Sequence, residues 1–547
     1  DFAEISVTSI SGGVQGSIPY QSAANITTFL APGTAGQVLV SGGPSANPSY
    51  SSTAVFTSLS TSADITVHGV TVGLGANGTS ADTAIGTSAL GANTTGHDNT
   101  AVGSYALASN TTGAFNTANG RNALFSNTTG VQNTASGYGA LFYNTTGGGN
   151  TAYGAQTLYQ NTTGGSNTAY GTQTLTANTT GSFNTASGSL ALQANTTGTY
   201  NTASGFTALF NNTTGSYNAA VGYQALGSNT TGSNNAAVGS QALYGNTTGY
   251  ANTALGNEAL YYNSTGIYNS AVGYQALYIN TTGVQNVASG YHAMYYNTTG
   301  YANAANGVLA LYSNTTGYYN SATGMQALYA NTTGTYNAAY GYLTLGQNTT
   351  GAYNTAYGTE ALFSNTTGNS NTGIGYNALG YNTTGGYNTV VGYNAGGGIT
   401  TGSGNIQIGG VNSGGSNAPV FSITTENNRI AIGSTAVTNA YIQVAWTVVS
   451  DARDKTNFNV VPHGLDFVNQ LKPTAYQFRT ARDSEKTNGS VRYGFKAQDI
   501  LVLEGDAPVI IDNEDPDKLK YNSDSLVPVL VNAIQELTAR LQILENK

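Results

Sequence analysis

The chain has 547 residues, of which 73 are glycine and 39 tyrosine, while only 7% are charged and the formal net charge is −9. Globular chains carry about a quarter charged residues, and disordered ones favour high net charge with few aromatics, so the composition points to a long, ordered, nearly uncharged architecture. It excludes a basic nucleic-acid face; a spanning helix, because no apolar run approaches about 18 residues; and disulfides or thiolate metal sites, because cysteine is absent.

Residues 1–81 are rich in Ser, Thr and Gly with strand-like pieces, and read as an N-terminal β-rich segment. The motif GLGANG at 73–78 matches G-x-G-x-x-G, but a dinucleotide site needs a helix directly after it. A β-type repeat follows instead, so the motif reads as a glycine-rich turn.

The tetrad N-T-T-G, or N-S-T-G at Asn263, begins at Asn93 and recurs every 17 residues, without a slip, to Asn382. That makes 18 copies, with a decayed copy, ITTG, at 399–402 and a leading half-copy, DTAIGTSALGA, from Asp82. A fixed short period is the signature of a solenoid, and residues 82–402 are assigned to this shaft. Within each unit N-T-A-x-G has strand character, Asn and Gly supply turns because both tolerate positive φ, and A-L is the apolar anchor. Each rung is expected to hold two short strands and two turns, with identical Asn and Thr stacked as ladders. At roughly 4.8 Å per coil the 18 units make a shaft of about 85 Å. Large apolar side chains are few in each unit, which favours three chains sharing one axis.

Every N-T-T or N-S-T is formally a glycosylation sequon, and the tyrosines at variable positions, including Tyr250, Tyr261, Tyr262, Tyr318 and Tyr319, could offer stacking surfaces for sugars or pack on neighbouring rungs. Acids are scarce between 93 and 400: Asp98, Glu258 and Glu360 alone. Glu258 and Glu360 stand six units apart, about 29 Å along one chain, whereas glycosidic hydrolysis uses carboxylates about 5–10 Å apart; equivalent acids on neighbouring chains could still approach. His68, His97, His292 and His463 are scattered and suggest no metal site, and nothing implies a cofactor.

Residues 403–449 contain short strands expected to close the shaft. Charge then changes abruptly: residues 450–547 hold 12 of the 14 Lys and Arg and 15 of the 23 Asp and Glu, so an ordinary α+β domain begins near 450. Its last helix carries Leu530, Ile534, Leu537, Leu541 and Leu544 at 4-3-4-3 spacing, a seam suited to a short coiled coil.

Three resemblances sharpen this reading. The phrase N-T-A-x-G-x-x-A-L resembles the head repeats of trimeric autotransporter adhesins, which form trimeric β-rolls, although the period differs. APGTAGQVLVSGG (31–43) and ITVHGVTVGLG (65–75) resemble segments common in bacteriophage tail fibres. SDARDK (450–455), GLDFVNQLKPTAYQF (464–478), YGFKAQDI (493–500) and LVPVLVNAIQEL (526–537) together resemble the C-terminal intramolecular chaperone of endosialidase-type phage tail spikes and fibres. That family implies trimerisation, chaperoning of the upstream β-structure, and self-cleavage before the serine, here at Val449–Ser450. Ser450 would supply the attacking hydroxyl and Lys455 the base; Asp451 matches the family's acidic position and Arg453 also matches. Asp454 stands where the family is often apolar and favours a charged Lys455.

The sequence therefore reads as a mostly β, trimeric, 17-residue-repeat β-solenoid or β-roll fibre of a virion tail, outside the cell. Its C-terminal α+β chaperone ends in a helix, and its partners are two further copies, other virion tail proteins and a host-surface glycan or protein receptor. Alternatives are a glycan-degrading tail spike, or a cellular adhesin or glycosylated filament with an anchor or secretion signal upstream of Asp1. Eighteen near-identical rungs specify register weakly, so such chains need an external nucleus at one end.

Overall fold

The computed structural model describes residues 17–23, 26–31, 34, 38–40, 48–51, 65–67, 70–75, 81–411, 418–435, 437, 452–479, 484–514, 516–517 and 519–547. The protein is mostly β, with a long repetitive solenoid and few helices, the longest at the C-terminus.

Three antiparallel hairpins lead in: Ile18–Ala23 with Ile26–Leu30, Val38–Val40 with Ser49–Ser51, and Ile65–Val67 with Val70–Gly73. Val70–Gly73 also pairs antiparallel with Thr83–Ile85, which opens the parallel stack. The G-x-G-x-x-G motif thus starts at the end of one strand and leads towards another. From Thr83–Ile85 to Ile406–Ile408 each three-residue strand pairs with its equivalent one coil on, Ala against Ala through most of the stack and Thr against Thr through its first coils. The last step, to Ile430–Ile432, is 24 residues long. The registers run in one open series, leaving two ends.

The coil at 246–262 serves for all. Asn246, Asn252, Ala254, Ala259 and Leu260 point inward and are 0–1% exposed. Gly256 turns the chain at φ 141°, and its missing side chain matters: a Cβ there would sit 2.4 Å from the carbonyl oxygen of Gly273. Ala251, Glu258 and Leu260 all lie near φ +55°, a region that costs a non-glycine residue about 1–2 kcal/mol. The strain is held because coil-to-coil hydrogen bonds continue around the loop, as in Leu260 N to Ala276 O at 3.0 Å and Ser264 N to Thr281 O at 3.0 Å.

Two expectations change here. Each coil has one named strand, not two, because left-handed residues at Glu258 and Leu260 curl the A-L segment away from extended geometry. The core is also complete within a single chain. One Leu, two Ala and two Asn fill the cross-section of most coils, with Thr157, Thr174 and Thr344 in place of an alanine and Met294 of a leucine, so a shared axis is not needed to bury it. Burying each leucine contributes about 2 kcal/mol, and the ladder pattern makes stability a sum over neighbours.

The C-terminal region has its own core of Phe467, Ile500, Ile510, Ile511, Leu526 and Val529. It comprises α1 (Leu465–Val468), an antiparallel pair Thr474–Arg479 and Thr487–Gly494, α2 (Ala497–Glu504), a short pair Ile511–Asp512 with Lys520–Tyr521, and α3 (Ser523–Glu545). Glu536 on α3 accepts from the Leu465 backbone N–H at 2.8 Å, and Asn532 Nδ2 donates to the His463 carbonyl at 2.9 Å, so α3 holds α1 in place. No described helix is long and apolar enough to cross a membrane.

Gly256→Ala should destabilise its coil by about 1–3 kcal/mol from backbone strain alone, with further loss from the clash. Hydrogen exchange should show reduced protection in the adjoining coils and little change several coils away; a uniform loss along the shaft would contradict neighbour-only coupling.

Candidate functional site

Two buried amide ladders run the length of the shaft. In the first, Asn246 Nδ2 donates to Asn229 Oδ1 at 2.7 Å and to the Gly249 carbonyl at 2.9 Å, while Asn246 Oδ1 accepts from Asn263 at 2.9 Å. In the second, the backbone N–H and Nδ2 of Asn252 both donate to Asn235 Oδ1, at 3.0 and 3.2 Å, and Nδ2 also reaches the Gly266 carbonyl at 2.8 Å. A buried amide without partners costs about 1–3 kcal/mol, so each asparagine is stable only because the next coil repeats it.

The ladder ends are not alike. At the N-terminal end both meet one carboxylate: Asp82 accepts from Asn93 Nδ2 at 2.8 Å and from the Asn99 backbone N–H at 2.8 Å. At the other end Ile399 replaces the next asparagine, and Asn382 Oδ1 is left buried with no hydrogen-bond partner. The second ladder ends at Asn405, whose Oδ1 accepts the Arg429 backbone N–H at 2.9 Å. The Arg429 guanidinium reaches both oxygens of Glu514, at 2.5 and 2.6 Å, and the Lys520 ammonium lies 3.4 Å from the centre of the Phe421 ring. The shaft's last coil is thereby joined to the C-terminal region. The Glu514 backbone N–H, then the Lys520 ammonium, hold the Asp512 carboxyl below its ordinary range beside this junction. Sequence reasoning missed these contacts; the Asp-for-Asn exchange at residue 82 was the visible signal for the first of them.

The sequons take on a different meaning. Asn246 and its equivalents are fully buried, and both amide hydrogens of Asn246 are already donated. A glycan on Nδ2 would remove a donor from the ladder and has no room, so the folded shaft cannot carry the glycan coat of the filament alternative. The tetrad is an internal turn.

Tyrosines form columns of their own. Tyr244, Tyr261, Tyr278, Tyr295, Tyr312 and Tyr329 stack with ring centres 5.0–5.5 Å apart. Tyr318 stacks on Tyr301 at 4.7 Å and Tyr319 on Tyr336 at 5.0 Å, while Tyr250 and Tyr262 meet neighbouring rings edge-on. Tyr261 has both faces covered, so it presents an edge rather than a platform for a sugar. Burial first, then neighbouring phenols, pushes Tyr278 and Tyr312 up to about 12; the Glu258 carboxylate, which accepts from Gln275 Nε2, adds to the effect at Tyr278.

Of the expected processing residues, Val449, Ser450 and Asp451 lie outside the described residues, as does the Asp454 side chain. Ala452–Asp454 is a single 3-10 turn, and the exposed Lys455 closes it with its backbone N–H on the Ala452 carbonyl at 3.3 Å. His97 pairs with Asp98, His292 stacks on Tyr291 and His463 on Phe467, each in a different part of the fold; His68 lies outside the described residues. On α3, Leu526, Val529 and Ala533 face the domain core, whereas the seam remains outside it, from 38% exposed at Leu530 to 67% at Leu544.

Residues 450–502 match the family model described as chaperone of endosialidase. The C-terminal region carries an endosialidase-type chaperone. No curated protein and no solved structure matches the chain. An endosialidase-type chaperone behind a long β-solenoid fits a phage tail fibre or spike, and such chaperones are associated with trimeric phage tail proteins.

The stacked phenols set an alkaline limit. Their folded pKa lies above the ordinary 10.0, so the stability they contribute is complete below about pH 10 and is lost as pH rises through about 12. Tyrosinate absorbance should show a fraction ionising well after the bulk, together with late loss of β-structure. Uniform ionisation near 10 with the shaft intact would refute the stacking.

Proposed function

We propose that the chain is a bacteriophage tail fibre acting in host attachment, a trimer whose C-terminal domain aligns three shafts and then cuts itself free at Val449–Ser450. The observation that carries this reading is the endosialidase-type chaperone placed directly after a solenoid of near-identical coils. The exposed α3 seam supports trimerisation: five large apolar side chains at coiled-coil spacing lie outside their own domain's core. A host-surface glycan or protein is the proposed receptor, other virion tail proteins are the neighbours, and the virion tail is the location.

In the cleavage step the Ser450 hydroxyl attacks the Val449 carbonyl and gives its proton to Lys455, the C–N bond breaks as that proton passes to the Ser450 nitrogen, and water then hydrolyses the Val449 ester on Ser450 Oγ to leave a Val449 carboxylate and a new Ser450 amino terminus. A lysine acts as base only when burial or a nearby cation lowers its pKa. Lys455 is exposed in the single chain, so on this reading packing between copies supplies the desolvation, and cleavage follows assembly.

Wild type on a denaturing gel should give a shortened shaft chain and a fragment of about 98 residues, whereas Ser450→Ala should remain full length and still be trimeric by native mass. Intact wild-type chain in a trimeric particle would reject cleavage and keep the chaperone. Ile534→Asp with Leu541→Asp should give monomers and no processing; trimers in that variant would reject the seam.

A further inference from the structure

Nine aliphatic side chains are exposed between residues 93 and 400: Val131, Val221, Val238, Leu255, Val272, Val287, Val308, Met325 and Ile374. Seven of them lie in two adjoining columns, the strand's last residue and the residue just after the turn glycine; Val287 is the first outward residue of its strand, and Val131 lies elsewhere. Tyrosine at the shaft surface explains itself, since its hydroxyl stays wet. Exposed Val, Leu, Ile and Met in a row do not. With the tyrosines and the phenylalanine of the same two columns, every coil from Phe206 to Tyr393 presents at least one large apolar side chain on this face, twelve coils without a gap.

A stripe of this length constrains its occupant. At roughly 4.8 Å per coil it runs about 58 Å, with a contact point at each coil step, and a partner must repeat at that same step to meet it throughout. Charge agrees: Glu258, Glu360, Asp98 and Arg121 are the only formal charges between 93 and 400, so like surfaces meet without repulsion. The two columns flank a glycine, Gly256 in the coil at 246–262, which lets backbones approach closely. Unpartnered apolar strips of this size mark interfaces.

We infer that this face is where copies of the chain pack side by side, coil against coil, with the strand column of one shaft meeting the post-glycine column of the next around a common axis. The inference rests on the trimeric reading above and adds which surface of the shaft is used. The core of each shaft stays private, and what the copies share is an outer face.

The chain's lack of cysteine makes the test clean. Leu255→Cys, Val238→Cys and, as control on the exposed N-T-T-G turn of the same coil, Thr248→Cys are each made in the full chain and treated with a short bis-maleimide. Leu255→Cys and Val238→Cys should give chain-to-chain products as the major species on a denaturing gel, while Thr248→Cys stays single-chain. Either cysteine suffices if the other does not fold. Trimers by native mass with no product at 255 or 238, or with equal product at 248, would overturn the face and leave the trimer standing. Monomers by native mass would overturn both.

Discussion

A buried primary amide has two hydrogens and an oxygen to satisfy, and in this shaft another copy of itself, one coil away, provides the match. Most of the architecture follows from that demand. Asn246 can lie in the interior because Asn229 accepts from it and Asn263 donates to it. Asn252 repeats the arrangement and adds a backbone donor. A slip of one residue would bring threonine or an aromatic against an amide, so the period of 17 is enforced by orphaned polar groups rather than by apolar burial. The leucine anchors tolerate variation, as Met294 in the same role shows. The ladder asparagines do not vary within the array.

That rule also explains which parts of the fold could be read in the sequence. The solenoid, its period, the change of character near residue 450 and the apolar seam of the last helix were all legible, because each is written as a repeat or a composition step. The second strand was not. Glu258 and Leu260 adopt left-handed backbone angles that their side chains do not advertise, and only the neighbouring coils hold them there. Nor was the private core, because counting large apolar side chains overlooks that paired asparagines can fill an interior as well as leucines do. The tetrad was legible as a turn, but not its burial: N-T-T is a surface signal in most chains and here its asparagine faces the interior. For the proposed processing site the chaperone motifs point to Ser450 and Lys455, while the link of Arg429 and Lys520 to Glu514 and Phe421 depends on residues that nothing in the sequence brings together.

Ladders must also stop, and here the two ends stop differently. At the start one carboxylate, Asp82, receives the leading donors of both ladders. Because the ladder amides along the shaft donate one hydrogen to the asparagine one coil nearer the N-terminus, as Asn246 does to Asn229 and Asn252 to Asn235, a negative group at the N-terminal end of the ladders is favourable for the reason that acids favour helix N-termini. At the far end Asn382 is left with an unmet oxygen, and Asn405 is finished by the backbone of Arg429, whose side chain grips the chaperone. The array is therefore marked at both ends although it is monotonous between them.

That monotony has a genetic side. Inserting or deleting one whole 17-residue coil keeps both ladders in register and both ends untouched, whereas a change of length that moves the asparagines out of line breaks both ladders. This fold therefore accepts changes of shaft length most readily in whole multiples of the coil. The shaft is thus a ruler graduated in steps of about 4.8 Å, and its reach can be reset without redesigning the rest of the molecule.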